Sequence, residues 1–162
     1  MVDLTVRAAT PADGPAVAAI HDDAWGGPVV VGHGVRYDLP MLPTLVAVDR
    51  GGAVVGALAY AVADEALEVV SLAAARSGRG AGTALLAAIA QEARRRGLRR
   101  VWLVTTNDNL RALRFYQRRG LRIVGVTPGA VDAARRLKPG IPHVGAHGIA
   151  LHDELTLELR LD

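Results

Sequence analysis

Apolar and polar positions along this 162-residue chain fall into runs whose spacing separates strands from helices. "LTVRA", residues 4–8, predicts a short strand. "TPAD", Thr10 to Asp13, predicts a helix start: a Thr cap, Pro in the first turn and an acid three residues on. That helix is expected to reach about His21. Residues 25–43 are punctuated by Gly and Pro and have weak periodicity, which predicts loops with room for a short helix. "TLVAVDRGGAVVGALAYAVADEALEVVSLA" predicts three strands turning at "DRGG" and "ADEA", a β-meander. A helix follows from about Gly82 to Arg96, with Leu85, Leu86, Ile89 and Ala93 on one face and Gly97 as its stop. "RVWLVTT" is nearly all apolar, as in a central strand buried on both faces. "NLRALRFYQRRG" predicts a helix capped by Asn109 and closed by Gly120, and "LRIVGVT" another strand. A long connection with room for one helical turn spans roughly residues 129–152, before the alternating strand "DELTLELRL". Strands, then helix–strand–helix–strand, then a strand predict one α/β domain, residues 1–162, around a mixed sheet.

Composition narrows the chemistry. Half of the residues are apolar, but no run of eighteen is continuous, which argues against a transmembrane helix and a membrane partner. The opening "MVDLTVRAATPADG" lacks a basic segment followed by an apolar core, so a cytoplasmic location is expected. The absence of cysteine excludes a disulfide scaffold, a thiol nucleophile and thiolate metal sites. Of nineteen basic residues eighteen are Arg, against sixteen acids, so the formal charge is only +3. The cluster from Arg94 to Arg100 fits a solvated helix end that complements the helix dipole. The low net charge and the six aromatic residues count against a nucleic-acid partner. An anionic small ligand is a further option.

"SGRGAG", residues 77–82, places Gly78, Gly80 and Gly82 on alternate positions just before a helix. No Gly-Lys pair exists for a Walker loop, and a dinucleotide fingerprint fails in both registers, since Thr83 and Leu85 stand where its last Gly is needed. Two readings remain. One is a tight strand-to-helix turn. The other is a cradle in which main-chain N–H groups at the helix N-terminus grip a pyrophosphate, with Arg79 and Arg76 adding charge.

This stretch resembles the Q/R-x-x-G-x-G/A loop of the GCN5-related N-acetyltransferase (GNAT) family, with Ser77 where Gln or Arg is usual. Downstream, "NLRALRFYQRRGLRIVG", Asn109 to Gly125, is similar to the family's N-x-x-A-x-x-x-Y pattern followed by a Gly and a strand. The resemblance covers roughly residues 45–127. It implies the family's mixed, mostly antiparallel sheet of six to seven strands, flanked by helices and splayed between the fourth and fifth strands, here residues 66–73 and 100–105. It further implies acetyl-CoA as cosubstrate, no metal, and direct attack of a primary amine on the thioester, the amine belonging to a small molecule or a peptide. A homodimer paired through edge strands is consistent with the family, and a catalytically silent acyl-CoA sensor is the alternative function.

What the resemblance implies for residues follows position by position. Ser77, Gly78, Arg79, Gly80, Ala81, Gly82 and Thr83 would bind the pyrophosphate. Main-chain groups at Leu72 and Ala73 would bond the pantetheine arm, and Asn109 would contact that arm besides capping its helix. Tyr116 matches the family's general acid, which donates to the departing sulfur. An alkylamine with a pKa near 10.4 is neutral in only about one molecule in two thousand at pH 7, a deficit of roughly 4.6 kcal/mol, so a base matters more than an acid. Glu68 is the candidate base, on the strand leading to the loop, with Val70 and Leu72 expected on its own face; the other reading is an exposed polar position on that strand. Asp64 and Glu65 fall in a turn and read as solvated, while Asp153 and Glu154 open the last strand within reach of a substrate. His21, Trp25, His33, Arg36 and Tyr37 are substrate-contact candidates without a motif. His143, His147 and His152 read as a glycine-rich loop rather than a metal site, since HxxxH needs a helix and Gly145 and Gly148 interrupt it.

Overall fold

The first strand, β1 (Thr5–Ala8), turns into α1 (Gly14–Trp25) through a single 3-10 turn at Pro11–Asp13. Asp13 fixes that junction: it accepts from the Thr10 N–H at 2.7 Å and from both Arg7 Nη atoms at 2.6 and 3.0 Å. The Arg7 guanidinium holds its carboxyl far below the usual range. The helix runs four residues beyond His21, to Trp25. The computed structural model describes residues 3–76 and 79–162.

Where the weak periodicity of residues 25–43 predicts loops, the chain forms a two-stranded hairpin, β2 (Val29–Gly32) and β3 (Val35–Asp38), followed by one 3-10 turn at Leu39–Met41. His33 and Gly34 form the tip with φ of 42° and 79°. Both angles are positive, as in the type I′ turn whose twist matches that of its flanking strands. The signal was a β-branched run, "VVVG", then "HG", then "VRYD".

The predicted meander is present as β4 (Thr44–Val48), β5 (Val54–Ala63) and β6 (Ala66–Ala74). Then come α2 (Ala81–Arg95), β7 (Arg100–Thr106), α3 (Leu110–Arg118), β8 (Arg122–Thr127), the short α4 (Ala130–Ala134) and β9 (Glu154–Arg160). Seven strands form one sheet in the order β1-β4-β5-β6-β7-β9-β8. Every neighbouring pair is antiparallel except β6 with β7.

That parallel pair joins only Ala66–Glu68 to Arg100–Trp102, after which β7 pairs with β9 alone. The splay expected between these strands is therefore present. A register shift also adds a residue to β6 at Val70: Tyr60 pairs with Val69, but Ala59 pairs with Ser71. Such a bulge inverts the alternation beyond it. Leu72, expected on the face of Glu68, lies instead on the opposite face beside Leu58, and Ser71 takes the face of Glu68.

The α2 face holds the main core, where Leu85, Leu86, Ile89 and Ala93 are buried as the helical spacing predicts. Each fully buried Leu or Ile contributes roughly 1.5–3 kcal/mol. On the other face lies α1, whose Trp25 indole donates to Ser71 Oγ at 2.9 Å. Strand β7 is buried on one face only: Val101 and Leu103 are enclosed, while Trp102 and Val104 are half-buried.

The β5–β6 turn carries Asp64 and Glu65 at φ of 52° and 62°, both exposed, a conformation that strains a residue bearing a Cβ. Glu65→Gly should stabilise the fold by about 1 kcal/mol, seen as a rise in Tm of about 2–4 °C, since the exposed ion pair with Arg99 that it removes is worth little. A lower Tm would contradict this account of the turn.

Candidate active site

The tip of the β2–β3 hairpin enters the wedge between β6 and β7. Gly32 passes so close to β7 that a Cβ there would stand 2.9 Å from Val104 Cγ2. The His33 ring lies 5.0 Å from the Trp102 ring, its main-chain N–H donates to Glu154 Oε1 at 3.0 Å, and its Nε2 is 2.8 Å from Glu68 Oε2. With the proton on Nε2, which a carboxylate neighbour favours, that contact is a charge-assisted bond. Tyr37 donates to the other oxygen, Glu68 Oε1, at 2.6 Å. Burial, followed by this carboxylate, raises the Tyr37 phenol above its ordinary value, so it keeps its proton for that bond. Glu68 is 5 % exposed, which excludes a solvated position on the strand.

Glu68, Tyr37 and Glu154 line a cavity of about 510 Å³ on the α1 face. Trp25 and Val104 supply apolar wall, and residues 131–142 of the long connection close it from the opposite side. Lys138 anchors that closure, its Nζ donating to the Trp25 carbonyl at 2.8 Å and the Val29 carbonyl at 2.7 Å. Burial lowers the pKa of this ammonium. Asp108, also on the wall, accepts from Thr106 Oγ1 at 2.5 Å and from the Ala146 N–H at 2.8 Å, tying down the far end of the connection. A Cβ at Gly145 would collide with this carboxylate. Of the two acids opening β9, Glu154 faces the cavity, whereas Asp153 accepts from the Gly129 N–H at 2.9 Å.

A second cavity, about 500 Å³, lies on the α2 face beside the same splay. Leu72, Ala73, Arg79, Gly80, Ala81, Gly82 and Thr83 line it, as do Tyr116 and Arg76, Arg111 and Arg119. Ser77 and Gly78 lie outside the described residues. Gly80 is the residue before α2 and has φ of 83°, a conformation natural to Gly. Gly82 answers a packing demand, since a Cβ there would meet Phe115 Cζ at 3.1 Å. The same Phe115 ring lies under the Arg119 guanidinium at 3.9 Å, and Arg119 Nε donates to Thr83 Oγ1 at 2.9 Å. Four guanidinium groups around a helix N-terminus suit a polyanion. Tyr116 is buried, and burial pushes its phenol up to about 12. Asn109 caps α3 as predicted but lines the first cavity rather than the second.

Comparison with known proteins places this geometry. The model of the acetyltransferase (GNAT) family matches residues 17–121. The chain belongs to the GNAT family. An uncharacterized protein of Bacillus subtilis (strain 168), YdhI, is 37 % identical over 138 residues, covering 85 % of this chain and 86 % of its own. Among solved structures, the IAA acetyltransferase from Bacillus cereus ATCC 14579 is similar at TM-score 0.73 and 19 % identity, covering 98 % of this chain and 100 % of that one. A GNAT family acetyltransferase from Elizabethkingia anophelis with acetyl-CoA bound matches at TM-score 0.70 and 20 % identity, covering 98 % of both chains.

In this GNAT chain, Glu68 and Tyr116 stand at different cavities that both border the splay. Of the contact candidates without a motif, His33 and Tyr37 hold Glu68 and Trp25 lines the first cavity, while His21 is buried in α1 and Arg36 is exposed. His152 pairs with Asp132 at 2.9 Å, and His147 has φ of 59° inside a 3-10 turn. Sequence reasoning missed Lys138 and Asp108. The sole lysine of an arginine-rich chain was the signal for the first; a lone Asp in "TTNDN" offered none for the second. Lys138→Met leaves two carbonyls unpaired and should lower stability by about 1–3 kcal/mol. Hydrogen exchange should quicken at Val29 to Val31; unchanged exchange there would rule out the anchor.

Proposed function

We propose that the protein is an acetyl-CoA-dependent N-acetyltransferase in which a primary amine attacks the thioester directly, with Glu68 as base. The observation that carries this reading is a buried carboxylate, on the wall of a cavity, at the point where β6 leaves β7. Acetyl-CoA supplies the acetyl thioester. The residues present suit it: Arg79 and the main chain of Gly80 to Thr83 would hold the pyrophosphate at the start of α2. Arg76, Arg111 and Arg119 line the same cavity and add positive charge. Ser77 and Gly78 belong to this proposed loop by sequence. The edge of β6 beyond Glu68 has no β7 partner, so main-chain groups at Leu72 and Ala73 can bond an amide-bearing arm. An N–H there that polarises the acyl carbonyl would contribute about 2.7–4 kcal/mol. Asn109, at the other cavity, would meet the far side of the reacting centre.

In the chemical step the amine nitrogen forms a bond to the acyl carbon, the carbon–sulfur bond breaks, and the thiolate leaves. Glu68 takes the amine proton. His33 is 2.8 Å from that carboxylate with a side chain 31 % exposed, which gives the proton a way to water. Tyr116 faces a different requirement. A phenol at about 12 would transfer its proton to a thiolate near 8.5 only at a cost of about 5 kcal/mol, so Tyr116 donates a hydrogen bond to the departing sulfur rather than the proton itself.

Glu68→Gln should lower kcat/KM for an amine about 10²–10³-fold, while calorimetry shows acetyl-CoA binding as in the wild type. Turnover at the wild-type level would remove Glu68 from the role of base. Tyr116→Phe should reduce kcat about tenfold with little change in coenzyme affinity. Gly80→Val forces a β-branched residue to positive φ and should weaken coenzyme binding at least about tenfold in a folded protein. Unaltered affinity would argue against the loop as the pyrophosphate site.

A further inference from the structure

The first cavity is lopsided in both charge and polarity. Among the described residues three carboxylates reach its wall, Glu68, Asp108 and Glu154, against one ammonium, Lys138. That ammonium is already held by the Trp25 carbonyl at the end of α1 and the Val29 carbonyl at the start of β2. Asp108 is likewise engaged at both oxygens, by Thr106 and Ala146. Glu154 is different. It is 4 % exposed, its Oε1 accepts from the His33 N–H, and its Oε2 has no donor among the described residues. Since His33 donates to Glu154 through its main chain and to Glu68 through its ring, the two carboxylates flank a single residue. Neither has an Arg or Lys partner among the described residues. Burying two such charges side by side is unfavourable unless a cation joins them. Burial, aided by Glu68, raises the Glu154 carboxyl above its ordinary value. The remaining wall is mostly aliphatic: Val30, Val31, Val70, Val104, Val131 and Leu151.

We propose that the acceptor is a compact monoamine with an apolar body, which enters as the ammonium form, docks on Glu154 and Glu68, and packs its hydrocarbon against this valine-rich wall. This rests on the acetyltransferase reading above. The cavity, at about 510 Å³, has the size of a small-molecule site. An amino acid would bring a carboxylate into a cavity of net negative charge whose one cation is engaged. Among the described residues, a polyhydroxylated amine would find further polar side chains only at Thr105, Thr106 and Asn109. The additional ammonium groups of a polyamine would meet the aliphatic wall, since both oxygens of Asp108 are already engaged. Glu154 is therefore a specificity residue: it holds the ammonium, and Glu68 then removes the proton.

The test compares 2-phenylethylamine, phenylalanine, spermidine and a peptide with a free N-terminus, by thiol release from acetyl-CoA and, separately, by calorimetric binding of each amine to the full chain. Phenylethylamine should exceed the others at least about 100-fold in kcat/KM, in line with the penalty for a mismatched charge in a buried site. Glu154→Gln should raise its KM at least about tenfold, with a smaller change in kcat. The same variant should melt no lower than the wild type. A carboxyl whose folded pKa is raised is most stabilising while protonated, and that contribution declines as pH rises through the raised value, so a neutral isostere removes the penalty. Preference for phenylalanine, spermidine or the peptide would overturn the substrate class and leave acetyl transfer standing. If no amine is acetylated, the acetyltransferase reading fails, and binding decides this inference: phenylethylamine binding weakened by Glu154→Gln sustains it, and absence of binding overturns it.

Discussion

The parallel ladder between β6 and β7 ends after three residue pairs, at Glu68 opposite Trp102, and the functional architecture is arranged around that ending. A backbone amide inside a domain needs a partner, so a strand edge left open there must face something other than its neighbour. Each strand keeps its outer neighbour, β6 with β5 and β7 with β9, so beyond this point it is their facing edges that lie open. On β6 the bulge at Val70 turns the following residues over. Glu68 thus faces the α1 cavity while Leu72, four residues on, faces the α2 cavity. Two sites on opposite faces of one sheet come to share a border.

The hairpin tip shows what holding such a border involves. His33 has φ of 42°, a left-handed conformation uncommon for a residue with a Cβ. In that conformation one residue sends its N–H to Glu154 and its ring to Glu68. Local strain of this kind persists where surrounding contacts over-determine it, here the Trp102 ring, the Tyr37 hydroxyl and the close pass of Gly32 against Val104.

Most of the fold was legible because its elements carry their own periodicity. The α2 stripe of Leu85, Leu86, Ile89 and Ala93 and the seven sheet strands are set by local patterning. The GNAT membership was legible through two short motifs at a fixed separation. Other features depended on geometry that spacing does not encode. Nothing in "EVVSLA" announces an extra residue at Val70, so the alternation assigned Leu72 to the wrong face. The hairpin at residues 29–38 was hidden because its tip is His-Gly rather than Asn-Gly or Asp-Gly. The anchoring of the long connection rests on Lys138 and Asp108, whose partners lie 109 and 38 residues away along the chain.

Lys138 has one more consequence. A thioester donor acylates exposed amines indiscriminately, and lysine is the side chain at risk, whereas the guanidinium of arginine stays charged and unreactive. Here eighteen of nineteen basic residues are arginine, and the single lysine has its nitrogen fastened to two carbonyls. The positive charge at the α2 cavity is therefore carried by guanidinium groups, and the chain offers a reactive thioester almost no free side-chain amine.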